Sequence, residues 1–390
     1  MKKILIIEDD PVVANVYRNK LAVDGYQTEV AADGETGLQA IEAFQPQLII
    51  VDLMLPTLSG VDVIRETRSM AAFAKTPIIV LSNTYLTNLV QEAWRAGASK
   101  CLSKTDCAPK DVIAAVRQLI GDSGSMPHAS AMHAAETATT QAAVRDAEHQ
   151  SELRKTFSEN LPATLYSLRA MVQSLVKASD EDARRKQVHE LYRQVHALNG
   201  NASVAGFGLI SHMASALEAM LKEIFEKSKN INASTIRTAV NAVDFLGFLF
   251  ERGMVAGHQD IPTSNILVVD DEIISRRAIT YALDKAKLKS TALDDPLTAL
   301  ELITSTNFDL IFLDVDMPGM NGFELCTKIR ALPQHKKTPV VFVTSLTDFE
   351  SRTNSTMAGG NDFIGKPFLF IELTVKSLIH VLRKQLTAPA

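Results

Sequence analysis

Residues 4–10 read Ile-Leu-Ile-Ile-Glu-Asp-Asp, and residues 266–272 read Ile-Leu-Val-Val-Asp-Asp-Glu. Each stretch is a short apolar run that ends in acidic residues, and the two lie 262 positions apart. The same offset relates further positions that can carry chemistry or shape a turn: Glu8 with Asp270, Asp9 with Asp271, Asp52 with Asp314, Ser82 with Thr344, Lys104 with Lys366, and Gly60 with Gly322. A unit that occurs twice, with unlike sequence between the copies, indicates a duplicated domain.

Each copy alternates two kinds of segment. Unbroken apolar runs occur at 4–7, 48–51 and 78–81 in the first copy and at 266–269, 310–313 and 340–343 in the second. Between them lie segments with apolar residues every three or four positions, such as 12–23, 35–44 and 61–70. Continuous apolar runs favour strands covered by helices on both faces. The alternation therefore predicts a doubly wound parallel sheet in each copy.

The region between the copies has a different pattern. Residues 148–252 show no strand signal but carry long amphipathic stretches, interrupted at Pro162 and near residues 179–180, 206–208 and 230–233. This pattern predicts a bundle of four or five helices. The predicted organisation is α/β plus all-α, with domains at 1–121, 148–253 and 264–386 and linkers at 122–147 and 254–263. The alanine-rich first linker could be helical in part.

Composition excludes several classes of protein. The net charge of −5 provides no basic field for holding nucleic acid. No apolar stretch reaches the roughly 18–20 residues that span a bilayer. The three cysteines have no pairing or metal-ligand spacing, which fits a reducing compartment. We therefore expect a cytoplasmic protein that binds neither nucleic acid nor membrane.

The acidic residues of the first copy predict a phosphoryl-transfer site. Ligands bind beyond the carboxyl ends of parallel strands, where Glu8, Asp9, Asp52, Ser82 and Lys104 are expected. Singly, each could be a helix cap or a solvated side chain, but their shared order in both copies favours a site. Three clustered carboxylates suit Mg²⁺. Asp52 would then be the phosphorylated nucleophile, with Lys104 offsetting phosphoryl charge and Ser82 donating a hydrogen bond. The second copy repeats the set as Asp270, Asp271, Asp314, Thr344 and Lys366.

Both copies resemble response-regulator receiver domains. The first carries Val-Asp-Leu-Met-Leu-Pro-x-x-x-Gly at residues 51–60, and the second carries Leu-Asp-Val-Asp-Met-Pro-Gly-Met-Asn-Gly at 313–322 and Gly-Lys-Pro-Phe at 365–368. The resemblance implies flavodoxin-like, five-stranded parallel sheets. It also implies phosphorylation of Asp52 and Asp314, with Mg²⁺ held by Asp9 and Asp271.

The two copies differ in ways that bear on output. The second has Phe363 at the family's aromatic position, whereas the first has Cys101 there and Thr105 where proline is usual. Two residues after the phosphoacceptor stand Met54 in the first copy and Asp316 in the second. We expect this difference to give the two phosphates unequal lifetimes.

One histidine of the middle region is the candidate phosphoryl carrier. His196 lies beside an apolar helical stripe formed by Val188, Leu191, Val195 and Leu198. Gly200, one turn later, would let a partner surface approach the imidazole closely. The pattern His196-x-Leu-x-Gly200, followed by Gly206, resembles a histidine phosphotransfer domain, although Asn199 replaces the family's usual lysine. His189 is a competing candidate without the motif.

These features predict a receiver–phosphotransfer–receiver protein that acts as a phosphorelay intermediate. Phosphoryl groups would pass between an aspartate and His196 and on to a second aspartate, in this chain or another. The expected partners are a separate sensor histidine kinase and other receiver or output proteins, and a receiver could mediate dimerisation. We expect no enzyme activity beyond Mg²⁺-dependent self-phosphorylation and dephosphorylation of the receivers. The alternatives are a phosphorylation-switched scaffold with an idle His196 and the regulatory part of a longer nucleotide cyclase.

Overall fold

The computed structural model describes residues 1–82, 87–104, 109–121, 132–253, 263–345 and 358–387. Thr105, residues 122–131 of the first predicted linker and residues 254–262 of the second lie outside these ranges. The chain forms two compact units. Unit 1 contains residues 1–164 and 194–215, and unit 2 contains residues 165–193 and 216–390. The boundaries predicted for three separate domains stay a prediction.

Unit 1 contains a five-stranded parallel sheet covered by helices. Its strands are β1 (Lys3–Ile7), β2 (Gln27–Ala31), β3 (Leu48–Asp52), β4 (Ile78–Ser82) and β5 (Lys100–Ser103), in the order β2-β1-β3-β4-β5. Its helices are α1 (Pro11–Val23), α2 (Gly34–Phe44), α3 (Gly60–Ser69), α4 (Thr87–Ala96) and α5 (Pro109–Ile120). The order reverses at β1 and β3, which is the place where doubly wound sheets bind ligands. The predicted fold of the first copy is confirmed.

The sheet of unit 1 is buried on both faces because its central strands are apolar throughout. Every residue of β3 and β4 is buried. One face packs against α1 and α5, and the other packs against α2, α3 and α4, which gives two hydrophobic clusters. The helices begin at local caps. The Asp10 carboxylate, for example, accepts hydrogen bonds from the amides of Val12 and Val13 at the start of α1.

Unit 2 contains the second sheet with the same topology. Its strands are β6 (Asn265–Val269), β7 (Lys289–Leu293), β8 (Leu310–Asp314), β9 (Val340–Thr344) and β10 (Asp362–Gly365). All of their pairings are parallel, and their order is β10-β9-β8-β6-β7. Its described helices are α10 (Ile273–Lys285), α11 (Pro296–Ser305), α12 (Gly322–Ala331) and α13 (Phe370–Thr387), with a 3-10 turn at Pro333–His335. The internal repeat therefore marks a repeated fold, as the sequence predicts.

Four helices form the middle region. They are α6 (Met132–Lys177), α7 (Glu181–Ala205), α8 (Gly208–Glu226) and α9 (Ala233–Gly253), with a 3-10 turn at Ser228–Asn230. Residues 132–164, 194–205 and 208–215 belong to unit 1, and the other parts belong to unit 2. Gly206 ends α7 with a φ of +77°, a conformation that favours glycine. None of the described helices is long and apolar enough to cross a membrane.

One predicted helix break is wrong. Pro162 lies inside α6, which is continuous over 46 residues. A proline removes one helical hydrogen bond, but α6 buries Leu161, Leu165 and Leu168 next to Pro162, and this packing offsets the loss. Helix α6 also begins at Met132, so the C-terminal part of the first predicted linker is helical.

Candidate functional site

The acidic site of unit 1 is assembled from the ends of three strands. Glu8 follows β1, Asp52 ends β3, and Lys104 follows β5. The Lys104 Nζ lies 2.5 Å from Asp52 Oδ2 and donates a 3.0 Å hydrogen bond to Glu8 Oε1. All three side chains are buried. The sheet topology thus brings together carboxylates and an ammonium group that are up to 96 positions apart in sequence.

Burial and charge act in opposite directions on these groups. Burial raises the pKa of Glu8 to about 8, even though Lys104 lowers it. Burial also opposes ionisation of Asp52, but the charges of Lys104 and His196, together with hydrogen bonds from Lys104 and the Met54 amide, outweigh it and lower the Asp52 pKa. Burial opposes the charge of Lys104 too, but Asp52 and Glu8 hold its pKa well above the usual value. Of these two carboxyl groups, Asp52 is therefore the one whose surroundings favour the ionised form.

The donor set fits a hard divalent cation. Single oxygen atoms of Glu8, Asp9 and Asp52 and one nitrogen of His196 all lie within 4.8 Å of one another. Within the described ranges, Glu8 Oε2 and Asp9 Oδ1 are buried atoms that accept no hydrogen bond, although Glu8 Oε2 is 3.0 Å from Lys104 Nζ. Clustered carboxylate oxygens of this kind can hold Mg²⁺.

His196 lies against this acidic site. Its Nε2 atom is 3.6 Å from Asp52 Oδ2 and 3.6 Å from Asp9 Oδ1. The imidazole is 12% exposed. Residues 196 and 52 belong to the same compact unit. The predicted carrier and the predicted phosphoacceptor of the first copy are therefore neighbours.

Three residues of α7, at spacings of four and three, contact the first sheet domain: His196, Gly200 and Ser203. A Cβ atom on Gly200 would lie 3.1 Å from Val13 Cγ2 and 3.6 Å from Asp10 Oδ2. The close approach expected at Gly200 is thus present. The Ser203 hydroxyl donates to the backbone oxygen of Lys104. Sequence reasoning missed Ser203, although its helical spacing from His196 was a usable signal.

Two other polar residues of α7 have different partners. Asn199 is buried, and its Oδ1 accepts a 2.9 Å hydrogen bond from the Ser211 hydroxyl. Position 199 therefore contacts α8, and its side chain is committed to a hydrogen bond there. The ring of His189 packs on Phe225 at 4.8 Å between centroids, in unit 2.

The acidic site of unit 2 repeats the arrangement, but its lysine side chain is more exposed to solvent. Lys366 Nζ is 2.8 Å from Asp314 Oδ2 and 3.0 Å from Asp270 Oδ2. The Lys366 side chain is 16% exposed, against 6% for Lys104. Burial raises the pKa of Asp314, with Lys366 acting in the opposite direction. Oxygen atoms of Asp270, Asp271 and Asp314 lie within 4.8 Å of one another, so this cluster can also hold a cation.

The remaining predicted residues also lie at strand ends. Ser82 ends β4, where its hydroxyl is buried and donates a 3.4 Å hydrogen bond to the Leu102 oxygen. Thr344 ends β9 in the same way and is buried. Cys101 is half-buried in β5. Phe363, at the matching place in β10, lies under the guanidinium of Arg237 at 4.9 Å from its ring centroid.

Comparisons with curated proteins match one receiver at a time. The chain is 35% identical over 124 residues to the cyclic di-GMP phosphodiesterase response regulator RpfG of Xanthomonas campestris pv. campestris, covering 31% of this chain and 33% of that protein. It is 38% identical over 126 residues to the transcriptional regulatory protein ResD of Bacillus subtilis, covering 30% of this chain and 48% of that protein. The chain thus spans less than half the length of these two relatives.

Solved structures show the same pattern. The chemotaxis response regulator CheY4 of Vibrio cholerae is 32% identical, with 31% of this chain and 99% of that chain covered and a TM-score of 0.29. The receiver domain of the sensor histidine kinase PA1611 of Pseudomonas aeruginosa, a structure with a magnesium ion coordinated in its active-site cleft, is 26% identical, with 30% and 98% covered and a TM-score of 0.29.

The family model for the response regulator receiver domain matches residues 4–117 and 266–377. Neither match includes residues 118–265. Receiver domains interact with histidine kinases in two-component systems. The two matches cover more than half of the chain and coincide with the two sheets and their acidic clusters, so this chain belongs to the response regulator receiver family, with two receiver domains.

Proposed function

We propose that this protein is a phosphorelay intermediate in which Asp52 and His196 exchange a phosphoryl group within one chain. The observation that carries the proposal is the 3.6 Å separation between His196 Nε2 and Asp52 Oδ2. A nucleophilic imidazole and a buried carboxylate are the two side chains that phosphoryl exchange requires. Asp314 is the second phosphoacceptor, with its own lysine and acidic cluster.

The transfer step is reversible and needs no other reactant. In one direction, a phosphohistidine protonated on its other ring nitrogen loses the phosphoryl group from Nε2 and leaves as neutral imidazole. A carboxylate oxygen of Asp52 forms the new O–P bond. The phosphoryl group has to lie between the nitrogen and the oxygen, so binding it requires the gap to widen.

Three features of unit 1 suit this step. Lys104 contacts Asp52, so its ammonium group can offset the negative charge of a phosphoryl oxygen during the transfer. The Ser203 hydroxyl and the close packing at Gly200 hold α7 against the receiver. Because both reacting groups are in one unit, the reaction gains the advantage of an intramolecular encounter.

Glu8, Asp9 and Asp52 are the residues that would hold Mg²⁺ in the first receiver, and Asp270, Asp271 and Asp314 would hold it in the second. When bound, the ion supplies positive charge that offsets the charge of the phosphoryl oxygens.

The geometry favours the relay over a phosphorylation-switched scaffold. In a scaffold, nothing would require His196 to face Asp52. Gly200 would then destabilise α7 by roughly 1 kcal/mol relative to alanine with no compensating contact. Here Gly200 allows the close contact with Val13 that accompanies the docked imidazole.

The test uses the full chain with Asp314→Asn, so that Asp52 is the acceptor under study. The protein is labelled with radioactive acetyl phosphate in the presence of Mg²⁺. Acid and base treatment then separates the label into acid-labile, base-stable phosphohistidine and base-labile acyl phosphate. We expect label in both fractions. His196→Gln should abolish the base-stable fraction, and His189→Gln should leave it intact.

The result that would overturn the proposal is an acyl phosphate on Asp52 with no base-stable label at any time. Equal loss of base-stable label in the two histidine variants would also contradict it, because His189 packs on Phe225 in the other compact unit.

A further inference from the structure

His196 adds a nitrogen atom to the carboxylate cluster of the first receiver. Glu8, Asp9 and Asp52 each offer one oxygen, and these atoms and one His196 nitrogen lie within 4.8 Å of one another. The corresponding cluster of the second receiver consists, among the residues that the structure describes, of three carboxylates: Asp270, Asp271 and Asp314. The two clusters therefore differ in the kind of cation that they suit.

The distances around His196 are close to those of a four-coordinate metal ion. Its Nε2 atom is 3.6 Å from Asp9 Oδ1 and 3.6 Å from Asp52 Oδ2. Two ligand atoms on a tetrahedral Zn²⁺ ion are about 3.4 Å apart, because each bond is about 2.1 Å long. Adjacent ligands of Mg²⁺ are closer, at about 2.9 Å, and Mg²⁺ prefers oxygen atoms to an imidazole nitrogen. A cluster that includes His196 thus favours a transition-metal ion such as Zn²⁺.

The buried oxygen atoms of the cluster are a second indication of a bound cation. In the part of the chain that the structure describes, Glu8 Oε2 and Asp9 Oδ1 are buried and accept no hydrogen bond. Glu8 Oε2 lies 3.0 Å from Lys104 Nζ, but Lys104 supplies a single positive charge for three carboxyl groups. A buried oxygen without a hydrogen-bond donor is unfavourable, and coordination to a metal ion satisfies it.

We propose that Glu8, Asp9, Asp52 and His196 form a binding site for Zn²⁺ or a similar transition-metal ion, which holds α7 on the first receiver and blocks phosphoryl exchange. Four protein ligands complete a tetrahedral shell, as in closed zinc sites. The ion occupies the His196 nitrogen and the Asp52 oxygen between which the phosphoryl group would move. The regulatory part of this inference rests on the proposed function, whereas the metal site itself does not.

Zn²⁺ and Mg²⁺ compete for the same carboxylates with opposite effects. Mg²⁺ binds through one or two carboxylates and keeps several water molecules, so a phosphoryl oxygen can replace a water. Zn²⁺ with four protein ligands has no open position. Replacement of one ion by the other therefore changes the first receiver from a reactive state to an inactive one, in which His196 is a metal ligand.

The test measures metal binding to the full chain with Co²⁺, a spectroscopic substitute for Zn²⁺. Four-coordinate Co²⁺ absorbs visible light far more strongly than six-coordinate Co²⁺, so the spectrum reports the number of ligands. We expect strong absorption for the unmodified chain and its loss when Zn²⁺ is added. His196→Gln should abolish the strong absorption and weaken Zn²⁺ binding by about 100-fold or more, because a ligand contributes at least as much as the groups that support it.

Three controls separate the metal site from folding and from other histidines. His189→Gln, on the same helix but in the other compact unit, should keep the full absorption. Asp9→Asn removes a ligand on the receiver side and should weaken Zn²⁺ binding in the same direction as His196→Gln. Labelling of Asp52 by acetyl phosphate and Mg²⁺ should persist in His196→Gln, which would show that its first receiver is folded.

The regulatory part is measured in the Asp314→Asn chain with Mg²⁺ present. Zn²⁺ at about ten times its Kd should slow the exchange of label between Asp52 and His196 by about tenfold, because only the zinc-free fraction reacts, and a chelator should restore the rate. The second receiver serves as the internal control. In a chain with His196→Gln and Asp52→Asn, the same Zn²⁺ concentration should leave labelling of Asp314 by acetyl phosphate nearly unchanged, because the described ligands there are carboxylates.

Each failure has its own meaning. If the unmodified chain and His196→Gln give the same Co²⁺ spectrum, the metal site is wrong and the proposed function is unaffected. If Zn²⁺ binds through His196 but exchange keeps its full rate, the regulatory part is wrong. If no label passes between Asp52 and His196 even with a chelator present, the proposed function fails and the regulatory part fails with it, while the Co²⁺ spectra still decide whether the metal site exists.

Discussion

His196 Nε2 lies 3.6 Å from Asp52 Oδ2, inside the compact unit formed by the first receiver and parts of the middle helices. The two residues are far apart in sequence and meet because α7 packs on α1. Gly200 makes that packing close, and the Ser203 hydroxyl binds the backbone after β5. The relationship defines which aspartate is paired with the histidine in this unit.

Gly200→Val should weaken the docking of α7 while improving the helix itself. A Cβ atom at this position is already 3.1 Å from Val13, and valine adds two methyl groups beyond it. Valine also has a better helix propensity than glycine. We expect slower exchange of label between Asp52 and His196, by about tenfold, with no loss of thermal stability in α7.

The matched control is Lys186→Val, an exposed site on the same helix. Its exchange rate should equal that of the unmodified chain. Equal rates in the Gly200 and Lys186 variants would show that the close contact is not needed.

Lys104→Met should destabilise unit 1 and make it dependent on divalent cations. The substitution leaves Glu8 and Asp52 buried without their ammonium partner, and losing one member of such a buried pair costs about 3–5 kcal/mol. Mg²⁺ should raise the unfolding temperature of this variant more than that of the unmodified chain, as measured by thermal scans with and without the ion.

Lys100→Met, on β5 with its amine hydrogen-bonded to Gln118 at an exposed site, is the control. It should leave both the stability and the Mg²⁺ response nearly unchanged. A Lys104 variant as stable as the control would contradict the buried-pair account.

Protonation of Asp362 should destabilise the second receiver in acid. Burial opposes the ionisation of Asp362, but interactions with His380 and Lys376 outweigh it and lower the Asp362 pKa. A carboxyl group whose pKa is lower in the folded state than in the unfolded state stabilises the fold at pH values above its unfolded pKa of about 4. That contribution is lost as the pH falls through the folded pKa.

Thermal unfolding between pH 7 and pH 2 checks this expectation. Asp362→Asn should be less stable than the unmodified chain at pH 7, and the two curves should converge as the pH falls. Asp284→Asn, at an exposed position on α10, should follow the unmodified chain throughout. A constant difference between the Asp362 variant and the unmodified chain would contradict the linkage.

The two aspartyl phosphates should decay at different rates. Met54 is half-buried beside Asp52, whereas Asp316 is exposed beside Asp314 and lies 3.5 Å from the Ser345 hydroxyl. A polar side chain can orient water near the phosphate, and an apolar one excludes it. We therefore expect the phosphate on Asp52 to last longer.

The comparison uses full chains with His196→Gln and either Asp314→Asn or Asp52→Asn, so that one phosphate decays without transfer. Met54→Asp and Asp316→Met should bring the two lifetimes closer together. Equal decay in the two parent variants would remove the hypothesis.

The fold of both receivers could be predicted because short-range patterns in the sequence determine it. Runs such as 48–51 are apolar at every position, and the acidic, hydroxyl and lysine positions recur at strand ends in both copies. Parallel strands align their carboxyl ends, so the grouping of Glu8, Asp52 and Lys104 follows from topology.

The partner of His196 could not be predicted in the same way. Its position beside Asp52 depends on packing between regions distant in sequence, such as Val204 of α7 against the cluster around α1. The chemistry of Asn199 was also hidden, because its hydrogen bond to Ser211 requires knowing how α7 lies on α8. Pro162 was misjudged because the burial of Leu161, Leu165 and Leu168, which holds α6 together at the proline, depends on packing that the sequence does not show.

The most direct test of the pairing of His196 with Asp52 is a rapid-quench measurement of label moving between them in the Asp314→Asn chain at several protein concentrations. The account predicts a first-order rate that does not change with concentration, because both groups belong to one compact unit. A rate that rises in proportion to protein concentration, or label that stays on Asp52 and never reaches His196, would contradict it.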